Sequence, residues 1–170
     1  MSKDIRIKKG LNINLVGAAE QTTSKAVLSN VYAIQLSDFH GITPKMIVKQ
    51  GAEVKAGEPL FYNKNMRDML FVSPVSGELV EIERGERRRI LTLKILADKT
   101  QEAFAGAALD VEKASKEELK TALLKSGCWP FIKQRPYDVI ANPDATPKSI
   151  FISGYSSAPL QADLDYVLQG

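Results

Sequence analysis

One segment in the last third of the chain combines aromatic rings with positive charge. Residues 127–138 read GCWPFIKQRPYD, in which three aromatic residues stand beside a lysine and an arginine. Aromatic faces and a nearby cation can line a pocket for a flat, polar-headed ring such as a quinone. The same composition also fits a loop that seals one domain against another. The residues that we assign to quinone or partner contact are Trp129, Phe131, Arg135 and Pro136.

A second cluster is basic and lies between two predicted strands. Residues 83–89 read ERGERRR, which sets four arginines against two glutamates. Guanidinium groups bind phosphate and carboxylate oxygens in a bidentate manner, and basic clusters also meet lipid headgroups. We therefore predict contact with an anionic partner here, with a solvated hairpin tip as the simpler alternative. The residues concerned are Arg84, Arg87, Arg88 and Arg89.

The other residues that could do chemistry predict no catalytic or metal site. The chain has one cysteine, Cys128, and one histidine, His40, which are too few ligands for a zinc or iron–sulfur centre. Cys128 has no neighbouring histidine to activate it, and a lone histidine before a turn is more often structural or exposed. The G-x-G-x-x-G, P-loop and G-x-S-x-G patterns are absent from the sequence. We expect no cofactor within this chain.

The bulk composition describes a folded protein with an ordinary surface. The 170 residues are 44% hydrophobic and 25% charged, which fits one domain, or one domain and part of a second. A net charge of +3 gives no nucleic-acid signal. No apolar run is long enough to span a bilayer, and the first ten residues, MSKDIRIKKG, lack an apolar signal-peptide core. We therefore expect a cytoplasmic location.

Short strands are predicted to position the basic cluster. Segments 5–17, 30–39, 78–83 and 90–96 alternate apolar and polar residues, while glycine and proline punctuate the stretch between 41 and 59. Leu79 and Ile82 would face the core, and the basic cluster would connect a hairpin. Many short strands at close spacing indicate a small barrel or sandwich.

Two glycine-bearing half-motifs flank a further predicted hairpin. QGAEVKAGEPLF and SPVSGELVEI resemble the halves of a lipoyl/biotinyl-type barrel-sandwich hybrid, in which a modified lysine occupies the hairpin apex between them. Counting from Val54 places Arg67 at about that apex and Lys64 three residues earlier. A guanidinium stays protonated and is a poor acyl acceptor, and Lys64 lacks the flanking residues that a ligase would recognise. We therefore predict an unmodified scaffold.

A helix with clear end signals is predicted after residue 114. In the stretch ASKEELKTALLKSG, Ser115 can cap the helix, and the glutamate three residues later completes a capping box. Leu119, Ala122 and Leu123 would share the apolar face. Gly127 can adopt the left-handed conformation that ends a helix.

The segments after that helix predict the beginning of another domain. Residues 128–138 contain two prolines and are predicted to form an extended loop. Residues 149–153 are predicted to form a short buried strand, and residues 162–170 the first turns of a further helix. The predicted fold is mixed β and α/β: a barrel-sandwich hybrid at residues 1–98, followed at residues 99–170 by a helical linker and the start of an incomplete Rossmann-like α/β domain.

The order of these motifs resembles a known family. IKKGLNINLVGAAEQ, FHGITPKMIVKQGAEVKAGEPLF, SPVSGELVEIERGERRR and LLKSGCWPFIKQRPYDVIANPDATPKSIFISGYSSAPL together resemble the large soluble A subunit of the sodium-translocating NADH:quinone oxidoreductase. The resemblance covers nearly the whole chain and implies that it is the N-terminal part of a longer protein. It also implies a membrane respiratory complex that oxidises NADH, reduces quinone and exports sodium.

Several expectations follow from this resemblance alone. The chain would be peripheral on the cytoplasmic side of the inner membrane, with the other subunits of the complex and quinone as partners. Flavins and iron–sulfur clusters would lie on other subunits, and quinone binding would belong to the full-length protein. Two alternatives stay open: the related C subunit of an Rnf-type electron-transport complex, and a non-enzymatic binding module of carrier-like fold.

Overall fold

The computed structural model describes residue 10 and residues 15–106, 109–153, 158 and 160–169. The chain divides into two compact units, one formed by Leu28–Thr146 and the other by Met1–Val27 together with Pro147–Gly170. The Leu28–Thr146 unit, called the main unit below, holds the sheets described next. The division between residues 98 and 99 that the sequence predicts stays a prediction.

Two small antiparallel sheets form the main unit. In chain order the strands are β1 Val31–Gln35, β2 Pro44–Met46, β3 Glu53–Val54, β4 Pro59–Asn63, β5 Met66–Val72, β6 Gly77–Arg84 and β7 Ile90–Ala97. One sheet has the order β1–β7–β6–β3, and the other has the order β2–β4–β5. The sheets do not close into a barrel within the described residues. The predicted strand at 30–39 is half correct, because β1 ends at Gln35 and a 3-10 turn then carries Leu36 into the core.

The inward positions of the two sheets form one core. Alternation along β5 buries Met69 and Phe71, whereas β4 buries the consecutive residues Leu60 and Phe61 because its pairing with β5 shifts there. Phe61 and Phe71 stack with ring centroids 4.4 Å apart. The prediction that Leu79 is a core residue is confirmed, whereas Ile82 is only partly buried at its edge. The core is completed by Leu36, Val54, Ile90, Leu93, Ile95 and Leu124.

The apex of the β4–β5 hairpin is a two-residue turn at Lys64 and Asn65. Asn63 pairs with Met66 across it, so Arg67 belongs to β5 and its predicted place at the apex is wrong. The Asn63 side-chain oxygen accepts hydrogen bonds from the backbone N–H groups of Thr43 and Asn65, at 3.2 and 3.3 Å. The Lys64 N–H donates to the Thr43 carbonyl at 2.8 Å. These bonds set the turn three residues earlier than counting from Val54 indicates.

A helix, α1 (Lys116–Lys125), packs against β5. The predicted capping box is confirmed, since Ser115 and Glu118 bond each other's backbone N–H groups. The predicted apolar face needs one correction: Leu124 is buried at 7% exposure, whereas Leu123 is 37% exposed. The reason is that the helix presents to β5 the side shared by Leu124 and Gly127, which are three residues apart.

The segment after α1 is more structured than the predicted extended loop. Trp129–Phe131 form a 3-10 turn, and β8 (Lys133–Gln134) pairs antiparallel with β9 (Val139–Ile140) in a short hairpin. A cis peptide bond joins Arg135 to Pro136 in the turn of this hairpin. The extended-loop prediction is wrong because cross-strand pairing, which the prolines do not reveal, closes the segment on itself.

The second unit contains one short helix, α2 (Leu164–Leu168), in its described part, as the sequence predicts. The predicted buried strand at 149–153 is wrong: these residues form no strand, and Phe151 is 92% exposed. A strand requires a neighbour to accept its backbone hydrogen bonds, and no described strand pairs with this segment. Most of the predicted strand at 5–17 lies outside the described residues.

Candidate functional site

A small cavity opens beside the connection from β1 to β2. Its volume is about 120 Å³, and its walls come from the 3-10 turn after β1, the following turn and the beginning of β7. Gly41 turns the chain there with φ of +79°, a conformation that favours glycine. The lining is mixed: apolar side chains stand beside the polar groups of one histidine, one serine and one arginine. The lining residues are Leu36, Ser37, Phe39, His40, Gly41, Ile42, Pro44, Arg89 and Ile90.

Phe39 joins this cavity to the predicted aromatic segment. One contact is with the ring of Phe71 in the core, at 4.9 Å between centroids and an interplanar angle of 79°. Another is with Phe131, at 6.3 Å and 68°. Both arrangements are edge-to-face, the geometry that the aromatic quadrupole favours. Phe131 is itself 72% exposed, so much of its ring remains accessible to solvent.

The other residues of the predicted contact have different places. The Trp129 indole N–H donates to the Ala141 carbonyl at 2.8 Å, and Trp129 packs partly buried against the core. Arg135 and Pro136 are exposed in the β8–β9 turn and do not line the cavity. Phe131 is therefore the member of the predicted set that contacts a residue of the cavity wall, Phe39, while Trp129 anchors the segment.

The basic cluster forms the tip of the β6–β7 hairpin. The Gly85 N–H donates to the Arg89 carbonyl at 2.8 Å, and an Arg84 guanidinium N–H donates to the Arg88 carbonyl at 3.3 Å. Arg87 and Arg88 both adopt left-handed backbone conformations, with φ of 54° and 60°. All four arginines are exposed, and Arg89 also lines the cavity. The hairpin tip thus brings one of the predicted arginines to the same cavity as Phe39.

His40 and Phe39 are the site residues that sequence reasoning missed. His40 is exposed, as expected for a histidine before a turn, but it lines the cavity together with Arg89. The two residues are 49 positions apart, and only the packing of β1 on β7 brings them together. The one local signal is the FHG sequence at the turn, in which a ring and an imidazole precede a glycine.

Surface ion pairs account for the raised pKa values of two lysines. The hydrogen bond from Lys94 to Glu81, at 2.9 Å, raises the pKa of Lys94, and the charge of Glu83 at 3.7 Å adds to this effect. The corresponding pair of Lys55 with Glu102, at 2.9 Å, raises the pKa of the lysine and lowers the pKa of the carboxyl. These exposed pairs contribute little to stability. Lys94 does, however, engage two acidic residues of β6, Glu81 and Glu83.

The described residues contain no group of three or more His, Cys, Asp or Glu side chains that could hold a metal ion. Neither helix in the described part of the chain has the length and apolar run that crossing a membrane requires. The site therefore offers a small cavity of mixed polar and apolar lining, the imidazole of His40, the guanidinium of Arg89 and the exposed ring of Phe131 nearby.

Comparison with known proteins connects this architecture to a family. Residues 5–98 match the model of the NqrA N-terminal barrel-sandwich hybrid domain, and residues 114–170 match the NqrA second alpha/beta domain. The predicted fold class, a barrel-sandwich hybrid followed by an α/β domain, is thereby confirmed.

Curated relatives agree with the family models. The A subunit of the Na(+)-translocating NADH-quinone reductase of Tolumonas auensis is 36% identical over 168 residues, which is 97% of this chain and 38% of that protein. The corresponding protein of Marinomonas sp. is 30% identical over 165 residues, covering 96% of this chain and 37% of the relative. For Neisseria meningitidis serogroup A the identity is 35% over 163 residues, with coverages of 94% and 36%. The chain thus spans less than two-fifths of the length of these relatives, and it belongs to the NqrA family, the A subunits of the Na(+)-translocating NADH-quinone reductases.

Proposed function

We propose that this chain is part of the soluble A subunit of a sodium-pumping NADH:quinone oxidoreductase, where it serves assembly and contacts quinone. Family membership supports the first part, because the relatives carry that name. The complex would oxidise NADH, reduce quinone and export sodium, with flavins and iron–sulfur clusters on other subunits. The relatives' names favour this assignment over the related C subunit of an Rnf-type complex.

The observation that carries the quinone contact is the position of Phe39 between the cavity and Phe131. A cavity of about 150 Å³ lined by apolar side chains is known to hold benzene. The cavity here, at about 120 Å³, has the size of a single ring. Apolar side chains form part of its walls, and Arg89 can donate a hydrogen bond to a carbonyl oxygen of the ring. Phe39 lines the cavity and is held edge-to-face by Phe131, so its ring can contact a bound ring.

The contact can be tested by fluorescence because Trp129 is the only tryptophan of the chain. We expect a short-chain ubiquinone to quench its emission in a saturable manner. Replacing Phe131 by alanine removes one aromatic contact and should weaken the apparent affinity about three- to tenfold. Tyr137→Ala is the matched control, since Tyr137 is an aromatic residue of the same segment, is 82% exposed and does not line the cavity.

Two outcomes of this titration would reject the quinone contact. The first is quenching that rises linearly with quinone concentration and never saturates. The second is an equal effect of the two alanine substitutions. In that case the segment would have the simpler role of sealing the helical part of the main unit against the sheets.

The assembly role calls for the full-length protein. We propose that it lies at the cytoplasmic side of the inner membrane, bound to the membrane subunits of the complex. The tagged full-length protein, purified from detergent-solubilised membranes, should recover integral membrane subunits. If it recovers none under conditions that preserve the complex, the chain is better described as a free binding module of carrier-like fold.

A further inference from the structure

The tip of the β6–β7 hairpin, residues 84–89, sets four arginines against one glutamate, Glu86, and so carries a net positive charge. None of Arg84, Arg87, Arg88 and Arg89 forms an ion pair with a described carboxylate. The nearest acids of β6, Glu81 and Glu83, are bound by Lys94 instead. The guanidinium groups of Arg87 and Arg88 are therefore available to an external anion, whereas Arg84 also donates to the Arg88 carbonyl and Arg89 also lines the cavity.

The backbone of the tip is strained where the charge is densest. Arg87 and Arg88 are consecutive residues in the left-handed region, at φ of 54° and 60°. Glycine or asparagine would form this turn with less strain, so the fold gains nothing locally from arginine there. Strain of this kind is a reason to look for function in the side chains. What the two positions supply is a pair of cationic groups at the outermost point of the hairpin.

An apolar side chain stands next to the arginines. Leu91 is 39% exposed at the beginning of β7, and its side chain covers Gly85. A Cβ on residue 85 would lie 3.0 Å from a methyl group of Leu91, which shows how closely this side chain packs on the tip. The tip therefore combines four guanidinium groups with one exposed leucine.

We infer that this tip is a contact site for an anionic phospholipid surface. Guanidinium groups bind phosphate oxygens in a bidentate manner and are more weakly hydrated than ammonium groups. A projecting hairpin end can meet a flat surface, and Leu91 can enter the headgroup boundary as apolar residues do at membrane interfaces. Each basic residue near an anionic leaflet is worth about fivefold in affinity. This inference does not depend on the quinone contact.

The test is flotation of the protein with lipid vesicles. Vesicles containing about 30 mol% phosphatidylglycerol should bind the protein, and pure phosphatidylcholine vesicles should bind it much less. The variant Arg87→Asn/Arg88→Asn removes two charges and keeps side chains that tolerate a left-handed backbone. It should weaken binding about 25-fold. Raising the salt to about 0.5 M should abolish most of the binding of the unaltered protein.

The matched control is Lys99→Asn/Lys116→Asn. Both lysines are exposed, one beyond the opposite end of β7 and one at the first residue of α1. The variant changes the net charge by the same amount, so its vesicle binding should stay within about twofold of the unaltered protein. Thermal unfolding of both variants checks that the fold is intact.

Further outcomes separate the lipid surface from other anions. If sodium phosphate displaces the protein no better than sodium chloride of equal ionic strength, the lipid surface is supported. Displacement by millimolar inorganic phosphate alone would reject it in favour of a free-phosphate site. Binding to poly-glutamate without binding to anionic vesicles would reject it in favour of an acidic polypeptide. Equal losses in the arginine and lysine variants would reject it too, because only net charge would then matter.

Discussion

Gly127 offers the sharpest test of how the helical segment joins the sheets. It follows α1 with φ of +76°, and a Cβ added to it would lie 2.7 Å from a methyl group of Val72 in β5. Replacing it by alanine costs about 1–2 kcal/mol for the left-handed conformation. Crowding of a packed side chain adds about 1–3 kcal/mol. We therefore expect Gly127→Ala to lower the free energy of unfolding by about 2–5 kcal/mol.

Gly51 supplies the matched control. Its φ is +84°, close to that of Gly127, but a Cβ there would meet no atom within 4 Å. Gly51→Ala should therefore cost only the backbone part, about 1–2 kcal/mol. The difference between the two variants isolates the contact of the helix end with β5. In a Val72→Ala background, the additional cost of Gly127→Ala should fall to that of Gly51→Ala, because the crowded methyl group is gone.

Urea unfolding monitored by Trp129 fluorescence and by far-UV circular dichroism measures these free energies. Trp129 reports on the helix end, since it follows Gly127 by two residues, and circular dichroism reports on the sheets. The reasoning is refuted if Gly127→Ala costs no more than Gly51→Ala. It is also refuted if the Val72→Ala background leaves the cost of Gly127→Ala unchanged.

Four further predictions concern the helix cap, its pH dependence, the basic tip and the hairpin apex. Ser115→Ala should lower the free energy of unfolding by about 1 kcal/mol through loss of the cap, measured by urea titration against Ser115→Thr, which keeps the hydroxyl. Hydrogen bonds from the backbone and hydroxyl of Ser115 lower the pKa of Glu118 below its ordinary 4.5. The Glu118 carboxylate therefore stabilises the fold above pH 4.5, and this stabilisation is lost as the pH falls through the lowered pKa. Thermal unfolding across the acid range should show this loss in the native protein but not in Glu118→Gln. Arg88→Gly should raise the free energy of unfolding by about 0.5–1 kcal/mol because it relieves a left-handed arginine, and a decrease would contradict the described turn. Lys64 should remain unmodified when the chain is coexpressed with biotin and lipoate ligases, and a stoichiometric mass increase at Lys64 would overturn the unmodified-scaffold prediction.

Local sequence signals predicted the features that depend on local bonds. The cap of α1 follows from Ser115 and Glu118, which lie three residues apart and bond within the first turn. The left-handed end at Gly127 follows in the same way. The cap and the helix end could both be predicted from the sequence, because each depends on residues that are neighbours along the chain.

Features that depend on contacts between distant parts of the chain could not be predicted from local sequence signals. The apex of the β4–β5 hairpin is at Lys64 rather than Arg67 because the register of the two strands shifts twice, which no residue count reveals. The cavity depends on contacts between turns that are far apart in sequence, and Phe131 reaches Phe39 across 92 positions. The sequence indicates the aromatic segment itself, but it does not indicate that Phe39 is the residue that Phe131 contacts.

The packing of α1 on β5 has a practical consequence for dissecting the protein. Leu124 belongs to the same apolar core as Met69 and Phe71, and the turn at Trp129 also packs on it. A recombinant fragment that stops near residue 98, where the first family domain ends, would lack α1 and expose to water the part of β5 that α1 covers. Such a piece would be prone to self-association. Expression to Thr146 retains the helix that covers β5. The end of a useful fragment is therefore set by which apolar surfaces remain buried, and not by the boundary of the family domain.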